Sequence, residues 1–215
     1  MRSAPAAPRN DPQAATRVRW LWRIACWIFL AAPVTAARAQ ATDDSIDVQA
    51  ERNAGLIHVQ ARALLRAPMA VVWRTLTDYE SLPAFIPGLA SSRVVARHGA
   101  VVTVEQTGEA RFLFLTVPIA VTLESTERPP HVVEVRRVKG SIRHLEGRYE
   151  ATPQASGKVL LRWTGAVSPD ADLPPLIETA LVRLSIQDQF VGMVHEIERR
   201  AGTRVKVQEP RASHR

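Results

Sequence analysis

The feature that most constrains this chain is a period of two, sustained segment after segment from Arg93 to Val167. In the first long segment Val102, Val104, Gln106, Gly108, Ala110, Phe112 and Phe114 share one face, opposite Thr103, Glu105, Thr107, Glu109 and Arg111. The pattern returns at Ile119/Val121/Leu123, Val133/Val135, Leu145/Gly147/Tyr149 and Val159/Leu161/Trp163/Gly165/Val167. Such alternation belongs to strands with one face in a core and the other in water. Turn signals at His98-Gly99, Pro129-Pro130, Lys139-Gly140 and Ser156-Gly157 separate the segments. Six consecutive strands joined by short links predict an antiparallel meander.

One further strand precedes the meander, at Leu56–Leu65, with Ile57, Val59, Ala61, Ala63 and Leu65 facing one way. Ala67-Pro68 ends it and opens a helix, in which Met69, Val72, Trp73 and Leu76 recur at helical spacing; Trp73 is expected between this helix and the sheet. Pro83 and Pro87 leave space for one short second helix around Leu82–Ile86. After the meander, Pro174-Pro175 begins a long helix reaching about Ala201, whose apolar arc is read as Leu176, Ile177, Ala180, Leu181, Leu184, Val191 and Val194. Gly202 is its stop. The predicted class is α+β, in the order β-α-α-β-β-β-β-β-β-α. A sheet of seven strands with one apolar face meets a single long helix most economically by curling around it. A curled sheet and a straight helix touch along only part of their length, which leaves a hollow and makes it the expected binding site.

Charge and cysteine usage bear on compartment and partners. The chain carries 28 Lys and Arg against 21 Asp and Glu. Arg2, Arg9, Arg17, Arg19, Arg23 and Arg38 lie in the first 39 residues with Asp11 alone opposing them. The remainder is close to neutral, so no basic surface calls for nucleic acid. The leader itself has a basic end, an apolar run from Ile24 to Ala37 and a small-x-small site at Ala37-Arg38-Ala39. That order predicts a secretory signal peptide over residues 1–39, cleaved near Ala39-Gln40, and a periplasmic or secreted protein. The alternative is a retained N-terminal anchor, against which Pro33 and the shortness of the apolar run both count. Cys26, the one cysteine, lies in the leader, which leaves the rest of the chain without disulfide or thiolate chemistry. Residues 40–54 are expected as a flexible mature N-terminus, 55–202 as the domain and 203–215 as a basic flexible tail.

Ala67-Pro68, Val72-Trp73, Leu76-Thr77-Asp78-Tyr79, Leu82-Pro83 and Phe85-Ile86-Pro87-Gly88, followed by Pro129-Pro130, Gly140 and Leu145-Glu146-Gly147-Arg148-Tyr149, together resemble the START-like, helix-grip (SRPBCC) superfamily. The branch they resemble is that of the polyketide cyclase/dehydrase and coenzyme Q-binding START domains. The resemblance covers about residues 55–200 and implies a cavity between sheet and C-terminal helix that accepts a hydrophobic small molecule. Tyr149 stands where the family often has Trp, which keeps a ring and adds a hydroxyl in want of a partner.

The residue-level reading names Val104, Gln106, Phe112, Phe114, Val121, Tyr149, Trp163, Leu184, Gln187, Asp188 and Val191 as ligand-binding candidates. Gln106, Gln187 and Asp188 are polar groups on faces expected to be buried, where they either orient a ligand or find local partners. The pattern predicts an exported binding protein or carrier for a lipid, an isoprenoid quinone or a polyketide-like aromatic. A cyclase or dehydratase in the same cavity would need Asp188 or Tyr149 as acid or base. A third reading is a docking module that uses the apolar 112–119 hairpin. There is no nucleophile elbow, phosphate loop, dinucleotide fingerprint or zinc-protease motif, and no cofactor or metal is expected. Leu113 and Leu115, apolar on the second face of that hairpin, are expected to touch a membrane or a protein partner.

Overall fold

A computed structural model describes residues 46–202. The expected leader, its cleavage site and the basic tail lie outside the described residues. The chain runs β1 (Asp47–Asn53), β2 (Leu56–Leu65), α1 (Met69–Leu76), a 3-10 helix (Tyr79–Ala84), β3 (Leu89–His98), β4 (Val101–Phe112), β5 (Leu115–Arg128), β6 (Val132–Gly140), β7 (Ile142–Pro153), β8 (Val159–Pro169) and α2 (Pro175–Arg200). All strands belong to one antiparallel sheet in the order β1-β2-β8-β7-β6-β5-β4-β3. The meander over β3–β8 is as the alternation predicts, and the helix-grip arrangement holds, with α2 packed against β1, β2, β4, β8 and α1.

The sheet curls because its ladders are interrupted. Register shifts occur within β3, between Thr122 and Leu123 of β5, and between Ile142 and His144 of β7. Each extra residue bends its strand and raises the local twist. The concave face is closed by α2, and Ile57, Val59, Leu65, Val102 and Leu161 lie wholly buried under it. Trp73 packs partly buried against this core. The short helix expected around Leu82–Ile86 is instead a 3-10 turn three residues earlier, carrying Pro83 inside it.

The sheet has eight strands, not seven, and the expected flexible segment 40–54 contains the additional one. β1 pairs with β2 over seven residue pairs, from Asp47↔Arg62 to Asn53↔Leu56. As an edge strand it turns only Val48 and Ala50 to the core, so its sequence carries almost no hydrophobic signal. Ala54 and Gly55, both at positive φ, close its turn with β2. Arg52 pairs with the buried carboxylate of Glu178 in the first turn of α2, which ties the edge strand to the helix.

Candidate functional site

Strand alternation and helix packing leave a cavity of about 240 Å³ between the concave face and α2. Most of its wall is apolar, with side chains from α1, the 3-10 helix, every strand from β3 to β8, and α2. A cavity of roughly 150 Å³ lined by aliphatic and aromatic groups holds a benzene molecule, so this one has space for a larger ring system. Trp163 on β8 and Tyr149 on β7 face each other across one ladder pair, edge to face, with ring centroids 6.4 Å apart. The indole lies down over Gly147 and Gly165: a Cβ added at Gly165 would stand 2.5 Å from Trp163 Cη2, and one at Gly147 3.0 Å from Cζ2. The two glycines therefore make space for an indole that paves the sheet.

Five of the eleven expected wall residues line the cavity: Val104, Gln106, Val121, Tyr149 and Trp163. The other six do not. Phe112 ends β4 and pairs with Leu115, and Phe114 points into solvent at 89% exposure, because the chain reverses at Leu113. Leu184, Gln187, Asp188 and Val191 sit on the wrong face of α2. The inward face is Leu181, Val182, Ser185, Ile186, Gln189 and Met193. Asp188 is exposed, so the acid or base expected of it does not stand in the cavity. Phe190, Met193, Val194 and Ile197, at spacings of three and four, mark the true buried stripe.

The polar groups on the wall are few. Gln106 Nε2 donates to Ser92 Oγ at 3.2 Å, the local partner that makes its burial tolerable. The Tyr79 hydroxyl lies beside Ser125 and Glu127 without a hydrogen bond of good geometry, and Ser185 Oγ is likewise buried without a partner. Burial, and then the Glu127 carboxylate, push the Tyr79 phenol above its usual range. Burial alone does the same to Tyr149. Tyr79, Ser125, Ser185 and Gln189 are wall residues that sequence reasoning missed. The helical pair was recoverable from Leu181 and Met193, both buried, between which Ser185 and Gln189 recur at every fourth residue.

An outer groove adjoins the cavity. The two share walls at Gly88, Leu89, Gly108, Glu109, Ile119, Ser185 and Gln189, which marks the entrance between the segment before β3, the β4–β5 hairpin and α2. Asp188 and Arg111 stand in the outer groove. Backbone clasps hold this rim: Glu109 N–H donates to Gly88 O at 2.7 Å, and Gly192 of α2 abuts the Phe85 carbonyl. At the foot of α2, Glu196 accepts from Arg199 and Arg200, and Arg200 reaches on to Asp78 at 2.9 Å. Hydrogen bonds from Arg199 first, and from Arg200, hold the Glu196 carboxyl down to about 2, against burial that pushes it up.

A carboxyl with a lowered folded pKa stabilises the fold fully above its ordinary value of 4.5 and loses that contribution as pH falls toward 2. After solvent screening at this helix end the contribution is about 1 kcal/mol. In urea unfolding, Glu196→Gln is expected to cost this much at pH 7 and nothing near pH 2. A cost that persists at pH 2 would show that packing, not charge, holds the helix end.

A sequence profile for polyketide cyclase / dehydrase and lipid transport matches residues 65–209, two thirds of the chain. The chain belongs to this family. Among curated proteins no relative matches by sequence. Solved structures of the same fold include the ZhuI aromatase/cyclase from Streptomyces sp. R1128, 16% identical, covering 71% of this chain and 97% of that one with a TM-score of 0.59. A STAR-related lipid transfer protein fragment from Xanthomonas axonopodis is 13% identical, covering 72% and 99%, with a TM-score of 0.55. A START superfamily protein from Mycobacterium smegmatis is 13% identical, covering 67% and 97%, with a TM-score of 0.54. At these identities the polyketide cyclase/dehydrase family member shares the helix-grip fold with them, and a shared fold does not carry their chemistry over.

Proposed function

We propose that this chain is an exported carrier, which holds a hydrophobic small molecule in the sheet–helix cavity without transforming it. The observation that carries the reading is the cavity wall itself: largely apolar, open through one entrance, and lacking a histidine or an acid–base pair among the described residues. Its titratable hydroxyls, Tyr79 and Tyr149, are pushed up by burial and stay protonated at neutral pH. Apolar burial at about 25 cal/mol per Å² then supplies affinity, less the ordering costs of binding. The leader's basic end, apolar run and cleavage site support export to the periplasm. The test is expression with the native leader, recovery from the periplasm, and native mass spectrometry with solvent extraction. A co-purifying lipid, quinone or aromatic at near-unit occupancy is expected. An empty protein that turns over polyketide-like chains would overturn the carrier reading in favour of a cyclase.

The β4–β5 hairpin is where such a carrier meets a bilayer. Its legs wall the entrance, and its two-residue tip presents Leu113 at 81% and Phe114 at 89% exposure. Leu115, expected to be exposed with Leu113, is half-buried. Leu113 holds a φ of +53°, which a bulky residue rarely adopts, so an apolar side chain is kept there at a local cost. Aspartate tolerates that conformation better than leucine, so Leu113→Asp with Phe114→Asp should fold normally. The double variant is expected to keep ligand affinity and to slow transfer of ligand into vesicles by at least about tenfold. Transfer at the wild-type rate would remove the tip from the mechanism.

A further inference from the structure

The β4–β5 hairpin outruns the sheet on both sides. β3 ends against Gly108 and β6 against Val121, and beyond them the neighbouring strands give way to backbone clasps at Gly88 and Ser141. Residues 109–112 and 115–120 therefore stand without a flanking strand, as a ribbon roughly 15 Å long. Its ladder pairs sort by face. Gly108↔Ile119 and Ala110↔Val117 line the cavity, and Phe112↔Leu115 is the next pair on that same face. Glu109↔Pro118 and Arg111↔Thr116 face the other way, where Arg111 and Glu109 neutralise each other. Phe112 and Leu115 are half-buried, and the exposed tip of Leu113 and Phe114 stands directly beyond them. One face of the ribbon thus prolongs the cavity lining to the tip without a polar side chain.

A two-stranded ribbon is marginal in water by itself, and an apolar face on it calls for an occupant. A partner strand is poorly served. Ala120 turns its N–H and C=O toward Ser141, so Pro118 and Thr116 face the same open edge, and Pro118 has no N–H to offer. On the other edge the Glu109 N–H is already given to Gly88. Nor do two exposed and two half-buried side chains approach the roughly 800 Å² a side of a stable protein complex.

We propose, resting on the carrier reading, that the occupant is a lipid bilayer and that the apolar face of the ribbon is a track. The tip enters hydrocarbon, while the open edges at Arg111 and Thr116 stay among headgroups and water, where their backbone groups find partners. The ligand then passes between bilayer and cavity over Phe112 and Leu115 without crossing water. Exchange happens only while the tip is docked.

The test loads the full chain with N-phenyl-1-naphthylamine, a neutral fluorescent probe, and mixes it with phosphatidylcholine vesicles carrying a dinitrophenyl-lipid quencher. The rate of fluorescence loss is expected to rise in proportion to vesicle concentration, as a collision requires. Departure through water would give one rate at every concentration. Phe112→Ser with Leu115→Ser leaves the tip and the cavity wall in place. This pair is expected to bind the probe within about twofold of wild type. It should transfer the probe at least about tenfold more slowly. Thr116→Asp, at the same height on the other face, should transfer at the wild-type rate. Phe112→Leu with Leu115→Phe should do so too, which separates lost apolarity from a lost fold. A rate independent of vesicle concentration, or a serine pair that transfers like wild type, overturns the track while leaving a carrier. If the probe does not bind the wild-type chain, the carrier reading falls and this inference with it.

Discussion

Replacing Trp163 by alanine is expected to lower the free energy of unfolding by about 3 kcal/mol, read from the urea midpoint at constant slope. Truncating a buried tryptophan usually costs about 3–5 kcal/mol. The lower end applies because one side of this indole already borders a cavity and loses few contacts there. The same variant removes the paving over Gly147 and Gly165, so the retained ligand should drop to a small fraction of wild-type occupancy in native mass spectra. Trp163→Phe should recover most of the stability, since a smaller ring still covers the glycine pair. If Trp163→Ala unfolds at the wild-type urea concentration, the indole is not part of the packed face and the cavity wall must be redrawn.

Gly192→Ala is the second large effect, and its sign is decided by two opposed magnitudes. Inside a helix, alanine is favoured over glycine by about 1 kcal/mol. At this position, however, the added Cβ would stand 2.4 Å from the Phe85 carbonyl oxygen and 2.9 Å from Pro87 Cδ. The oxygen belongs to the backbone and cannot rotate aside as a side chain would. Overpacking of this kind costs roughly 1–3 kcal/mol, and the close backbone contact places it at the upper end. A net loss of about 1–2 kcal/mol is expected, with a fall of several degrees in Tm. Because Phe85–Gly88 borders the entrance, ligand should also leave faster. A rise in Tm would mean that this segment yields freely and that the entrance is not clasped.

What could be read from the chain follows from which periodicity was in play. Along a strand, neighbouring residues point to opposite faces, so a slip by one inverts the whole assignment and is easily noticed. Val104, Gln106, Val121, Tyr149 and Trp163 were therefore placed on the inner face correctly. The same rule failed at Phe114 because alternation was carried past a turn that no glycine or asparagine announces: Leu113 turns the chain in a conformation foreign to leucine. On a helix each residue advances about 100°, and apolar residues on several sides leave the phase ambiguous. Leu176, Leu184 and Val191 pulled the assigned arc toward solvent, although Leu176 is 83% exposed. β1 escaped notice for a different reason. An edge strand turns one face to water and needs only Val48 and Ala50 inside, so its ordering comes from its ladder with β2 and from the Arg52–Glu178 pair.

The ladder that joins β2 to β8 pairs Ile57 with Val167. The first hairpin of the domain thus has no neighbour until almost the whole chain is available, and closing so long a loop makes this pairing slow. α2 lies further on still, so the concave face is roofed last. Until then the apolar lining is bare to water, and a chain arrested before Pro175 would present it as a sticky trough. A molecule that settles in the trough at that stage is enclosed by the final helix rather than admitted through the entrance.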